Sequence, residues 1–161
     1  MISFVANLFT RAEPTFSEAR PSDAAPLAAL HATSFHRGWS EDEFERLLLD
    51  RGVVTHRAMI GRRLVGFIMS RLVEGEAEIL SVAVAAARRN RGLARQLLNL
   101  HMRRLAALGT RTIFLEVDES NVPARRLYQR AGFIAVGQRR GYYADQSGKA
   151  ASALVLRCEL P

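Results

Sequence analysis

The chain has 161 residues, 48% of them hydrophobic and 24% charged, a size and balance that suit one globular domain with a full core and exclude disordered and fibrous classes. The formal net charge of +7 is concentrated: residues 88–140 hold 12 basic and 3 acidic residues, whereas residues 1–87 hold 9 and 11. A local excess of cations implies an anionic partner, whether a phosphate-bearing cofactor, nucleic acid, an acidic protein face or a membrane surface.

Met1 to Thr15 reads as an N-terminal extension and residues 16–161 as a single domain, with no repeat or linker between them. That N-terminus lacks the basic start of a signal peptide. Alternation over Phe16–Arg20 predicts a short strand, and Ser22 or Asp23 then caps a helix reaching about Phe35. Ser40-Glu41-Asp42-Glu43 is a capping box, so a second helix follows to about Asp50. Val53–Ile60, Arg63–Val73 and Ala77–Val84 are β-like runs separated by glycine-containing turns, an antiparallel meander.

Leucines and Met102 then recur at helical spacing from Leu93 to Leu108, and Gly109 closes this longest helix. Thr112–Val117 is β-branched and strand-like. A helix begins near Asn121 with Pro123 in its first turn and ends at Gly132, before two last strands over Phe133–Val136 and Ser152–Leu160. The order predicts an α/β fold: a meander joined through a strand–helix–strand crossover to a mixed sheet, with helices on both faces.

The most apolar window, Ile79–Ala87, is interrupted by Ser81 and followed by Arg88, and nothing approaches the roughly 20 residues of a membrane span. Cys158 is the one cysteine, which excludes a disulfide framework, and it reads as inert core packing. A reducing cytoplasm is the expected location. His31, His36, His56 and His101 show no ligand spacing, so no metal is expected.

Chemistry concentrates at Arg88-Arg89-Asn90-Arg91-Gly92-Leu93-Ala94-Arg95, between a strand and the long helix. A basic, glycine-containing loop opening a helix offers free backbone N–H groups and the positive end of the helix dipole, which suits a pyrophosphate; a solvated arginine-rich helix start is the plainer alternative. Arg89-Asn90-Arg91-Gly92-Leu93-Ala94 resembles the acetyl-CoA loop of the GCN5-related N-acetyltransferase (GNAT) superfamily. Leu115-Glu116-Val117 followed by Asn121, Ala124, Leu127-Tyr128 and Gly132-Phe133 is similar to its second signature. Trp39-Ser40-Glu41 and Arg139-Arg140-Gly141-Tyr142-Tyr143 further resemble the bacterial ribosomal-protein alanine N-acetyltransferase (RimI type) branch. The departures are Ala94, where glycine is more frequent, and Gly141, where a polar residue is common.

The resemblance implies the acyl-CoA N-acyltransferase fold, with the Ile79–Val84 strand bulged and splayed from its parallel neighbour. It implies acetyl-CoA as cosubstrate, bound by Val82, Ala83, Val84, Arg89, Asn90, Arg91, Gly92, Leu93, Ala94, Arg95 and Asn121, with a backbone N–H near Val84 facing the oxygen that gains charge. Glu116 is implied as general base and Tyr128 as the acid that protonates the departing thiolate. The residues alone also allow Glu116 to be a strand-end carboxylate paired with an arginine, and Asn121 to be a helix cap. Trp39, Tyr142 and Tyr143 are implied to bind the acceptor, a protein N-terminus such as that of small-subunit ribosomal protein eighteen. Lysine side chains and small amines are alternative acceptors. An RNA- or ribosome-binding module with structural CoA is the non-enzymatic alternative; the chain lacks the aromatic–arginine interleaving of single-stranded RNA modules, which argues against direct nucleic-acid contact.

Overall fold

A computed structural model describes residues 12–144 and 150–161. Its elements, in chain order, are β1 (Thr15–Glu18), α1 (Ala24–Ser34), α2 (Glu41–Leu49), β2 (Val53–Ile60), β3 (Arg63–Val73), β4 (Glu76–Val84), α3 (Leu93–Ala107), β5 (Thr112–Asp118), α4 (Val122–Arg130), β6 (Ile134–Ala144) and β7 (Ala150–Glu159). The seven strands form one mixed sheet in the order β1-β2-β3-β4-β5-β7-β6. Only β4 and β5 run parallel, joined by the α3 crossover. This is the mixed sheet expected from the order of elements. The expected extension falls mostly on residues 1–11, outside the described residues, and β1 already includes Thr15.

Both faces of the sheet are covered because the strands alternate apolar residues to opposite sides. On one face Ile68, Ile79, Ile113 and Leu115 pack under Leu97, Leu98 and Leu105 of α3 and Tyr128 of α4. On the other, Phe67, Met69 and Ala83 meet Leu27 of α1 and Phe44 of α2.

Local chemistry sets the helix ends. The capping box is formed as expected: Glu43 N donates to Ser40 Oγ at 3.2 Å and Ser40 N to Glu43 Oε2 at 2.7 Å. Asp23 behaves differently. A short 3-10 turn over Pro21–Asp23 precedes α1, and the carboxylate turns back to accept from Arg20 N at 2.6 Å and to pair with Arg57 on β2, so it fastens α1 to the sheet instead of capping it. At the end of α3, Gly109 adopts φ +91°. Its N–H and that of Thr110 return to Ala106 O and Leu105 O, each at 3.0 Å, a reversal that a side chain at that φ would strain.

The last hairpin is longer than the sequence suggests. β6 runs to Ala144, well past Val136, because Gly137, Gln138 and Arg139 pair with Val155, Leu154 and Ala153 of β7, and Tyr143 and Ala144 with Ala151 and Ala150, despite the lack of apolar alternation. As an edge strand it needs backbone partners on one side only, and polar side chains suit its open edge.

One buried polar chain crosses the α3 interface. His56 Nδ1 lies 2.7 Å from His101 Nδ1, and His101 Nε2 lies 2.7 Å from Ser70 Oγ. Burial, with the neighbouring His56, pushes His101 down to about 3, and burial also lowers His56 and His31. Between pH 6.5 and 3 the unfolded chain therefore binds protons that the folded chain refuses, so stability is highest above 6.5 and falls on acidification. One such histidine contributes a loss of about 1.4 kcal/mol per pH unit across that window. Urea unfolding should show a midpoint clearly lower at pH 5 than at pH 7.5; equal midpoints would mean that these histidines charge freely in the folded state.

Candidate active site

Two features of β4 create the site. Met69 pairs with Ser81 and Ser70 with Ile79, which leaves Leu80 as an extra residue, a β-bulge that bends the strand. Parallel pairing with β5 covers only Glu76–Ile79 against Thr112–Leu115 and stops at the bulge. Beyond it β4 and β5 part, as the resemblance implied, and two clefts open along the gap.

The first cleft, of about 860 Å³, lies between the end of β4, the start of α3 and α4. Every loop residue named from the sequence lines it except Arg91. Asn90 and Gly92 take the left-handed conformation at φ +61° and +78°, turning the chain into α3, whose first residues Leu93, Ala94 and Arg95 line the cleft. Gly92 is the N-cap and no side chain caps the helix there; a Cβ at Gly92 would meet nothing within 4 Å. Arg89 Nε donates to Val84 O at 3.1 Å and ties the loop to the strand end. Arg88, Arg89, Arg95, Arg126 and Arg130 line this cleft with no carboxylate among the described lining residues. Helix-start N–H groups, the positive dipole end and five guanidinium groups fit the diphosphate of a CoA. Arg126 and Arg130 were missed in the sequence, although their four-residue spacing puts both on one face of α4.

The second cleft, of about 670 Å³, lies over the gap on the α1 side and is lined by Ser34, Phe35 and His36 together with β4, β5 and the start of α4. Glu116 and Asp118 line it, with no arginine or lysine among the described lining residues. Glu116 Oε1 accepts from Arg139 Nε at 3.1 Å, with the two side chains 31% and 59% exposed. An ion pair that open contributes at most about 1 kcal/mol and yields readily to a competing amine.

Tyr128, Val82 and Ala124 line both clefts. The Tyr128 ring packs against Phe133 at 5.6 Å, and burial pushes its phenol up to about 12, so it stays protonated at neutral pH. Asn121 caps α4, accepting from Ala124 N at 3.2 Å, and lines the second cleft instead of the first. Trp39 lines neither cleft: its ring stacks on His31 at 4.6 Å and its backbone N–H donates to His31 Nδ1 at 3.1 Å. Phe35 and His36 line the second cleft instead; their place just past α1 was the available signal. Tyr142 and Tyr143 have side chains outside the described residues. Among the described residues no cluster of metal-ligating side chains occurs, and no helix is long and apolar enough to cross a membrane.

Residues 17–133 match the model of the Acetyltransferase (GNAT) family. Over 98 residues the chain is 35% identical to a ribosomal protein bS18 alanine N-acetyltransferase of Haemophilus influenzae, covering 61% of this chain and 66% of that protein, just under two thirds of its length. The crystal structure of the Escherichia coli ribosomal-protein-S18-alanine N-acetyltransferase superposes with a TM-score of 0.85 at 24% identity, over 91% of this chain and 94% of that one. Arabidopsis thaliana NAA60 in complex with acetyl-CoA superposes with a TM-score of 0.81 at 21% identity, over 92% and 99%. With a family match running from β1 through α4, across the walls of both clefts, the chain belongs to the acetyltransferase (GNAT) family, whose acetyl donor is acetyl-CoA.

Proposed function

We propose that the protein transfers the acetyl group of acetyl-CoA directly to a protein N-terminal α-amine, with the N-terminal alanine of ribosomal protein bS18 as its acceptor. The observation that carries this is the division of charge between two clefts that meet at Tyr128: among the described lining residues, five arginines and no carboxylate on one side, and Glu116 and Asp118 on the other, with Arg139 reaching in only as the ion-pair partner of Glu116. A polyanionic cosubstrate and a cationic amine are each drawn to one side of the same gap. The Haemophilus relative, named for bS18 alanine acetylation, supports the choice of acceptor.

The chain's own groups then divide the work. The α3 N-terminus and the arginines hold the diphosphate, and the unpaired edge of β4 beyond Ile79 offers backbone groups to the pantetheine arm, including an N–H near Val84 for the oxygen that gains charge. An α-amine with a pKa of about 7.7–8.0 is largely protonated at neutral pH. Glu116, once Arg139 has turned away, takes a proton from it directly or through water, and Tyr128 on the opposite side protonates the leaving sulfur.

A panel of peptides with free or blocked α-amines, each carrying an internal lysine, tests the reading by intact mass. Free alanine-starting peptides should gain one acetyl group, and Glu116→Gln should slow them most at low pH. Equal acetylation of blocked peptides would indicate a lysine acetyltransferase, and turnover of a polyamine alone would indicate a small-amine enzyme.

A further inference from the structure

We infer that Ser81 is an acceptor-binding residue whose Oγ takes a hydrogen bond from the attacking amine; this rests on the amine-acetylation reading above but not on which amine is used. Ser81 is 6% exposed, and its Oγ has no hydrogen-bond partner among the described residues. It is also the hydroxyl that interrupts an otherwise apolar strand end, Ile79-Leu80-Ser81-Val82-Ala83-Val84. A buried hydroxyl left without a partner destabilises a fold relative to alanine, so its place in β4 calls for a partner from elsewhere.

Register shows where that partner sits. Ser81 pairs with Met69, whose side chain belongs to the α1–α2 core, whereas Val82 pairs with Ile68 of the α3–α4 core. Ser81 is therefore on the acceptor side of the gap, one residue past the bulge, and it lines the second cleft. Glu116 follows Leu115, a residue of the α3–α4 core, and by strand alternation it faces the same side as Ser81. The pair flank the parting of β4 and β5. A primary amine has two N–H bonds and a lone pair. Once Glu116 has taken the third proton of the incoming ammonium, one of the two remaining N–H groups is donated to Ser81 Oγ and the lone pair is left to point along the gap, where the thioester must lie if Tyr128 is to reach its sulfur; the second nitrogen proton leaves to water after the attack. Ser81 forms no covalent bond and changes no protonation state in this role; it orients the nucleophile.

Thr55 provides a built-in control. Its Oγ1 is likewise buried without a partner, but it sits on β2, which lines neither cleft. Ser81→Ala and Thr55→Val are to be compared with wild type in steady-state kinetics and thermal melting, using whichever amine the wild type acetylates best, so that failure of the N-terminal assignment leaves this test intact. Ser81→Ala should lower kcat/KM for the acceptor roughly three- to tenfold, as expected for one lost hydrogen bond, with acetyl-CoA affinity unchanged and a melting temperature equal to or above wild type. Thr55→Val should leave the kinetics unchanged. Unaltered acceptor kinetics in Ser81→Ala would overturn the proposal. So would a matching loss of acetyl-CoA affinity, which would put Ser81 on the donor side, or a lower melting temperature, which would make its hydroxyl structural.

Discussion

Tyr128→Phe is expected to lower kcat by a factor on the order of 10²–10⁴ while acetyl-CoA affinity stays at the wild-type level. Burial holds the phenol protonated by pushing it up to about 12. A thiolate leaving in that low-dielectric corner needs a proton donor within hydrogen-bond reach, and Tyr128 is the titratable side chain that lines both clefts. Phenylalanine keeps the ring packing on Phe133 and removes only the proton. Single-turnover rates together with binding measurements separate the two effects. A variant with normal kcat would take Tyr128 out of the chemistry, and one with weakened acetyl-CoA affinity would make it a binding group.

Gly92→Glu should abolish acetyl-CoA binding. Gly92 holds φ +78° at the N-cap of α3, beside guanidinium groups arranged for phosphates. A glutamate there places a negative charge at the positive end of the helix dipole, occupying the position a phosphate needs. Ligand present at 100 times its Kd stabilises a folded protein by about 2.7 kcal/mol, so wild type should show a clear rise in Tm with acetyl-CoA and the variant none. Gly92→Ala separates charge from backbone strain. Its Cβ meets nothing within 4 Å, and it carries the same left-handed strain of about 1–2 kcal/mol. A glutamate variant that melts like the alanine variant yet ignores acetyl-CoA isolates the charge; one that responds like wild type would remove this loop from the phosphate site.

Much of this architecture was written locally. The capping box at Ser40, the glycine ends of α3 and α4 and the β-like runs of the meander depend on short-range spacing, which is why the order of elements could be read from the chain. The arginine-rich loop before α3 was legible for the same reason: a helix start with glycine and free N–H groups is an anion site wherever the helix packs. Glu116, Asn121 and Tyr128 were singled out by resemblance, since a carboxylate ending a strand or a tyrosine in a helix is chemically unremarkable by itself.

Tertiary pairing decided the rest. Asp23 looked like a cap and became a tie to Arg57, because that guanidinium arrives from β2, 34 positions away. Trp39, expected at the acceptor, was drawn into the His31, Phe44 and Phe67 cluster, where burial of its ring is favourable. The length of β6 depended on β7 lending backbone partners to a segment without apolar alternation. The clefts themselves come from one extra residue, Leu80, and from β5 pairing that ends at Leu115. By itself the sequence determined which elements form and which loop is cationic, because those follow from contacts a few residues apart. Only the tertiary structure decided that cations line one side of the parted strands and carboxylates the other, because strand register and sheet order, set by packing across the whole chain, choose the face on which each side chain lies.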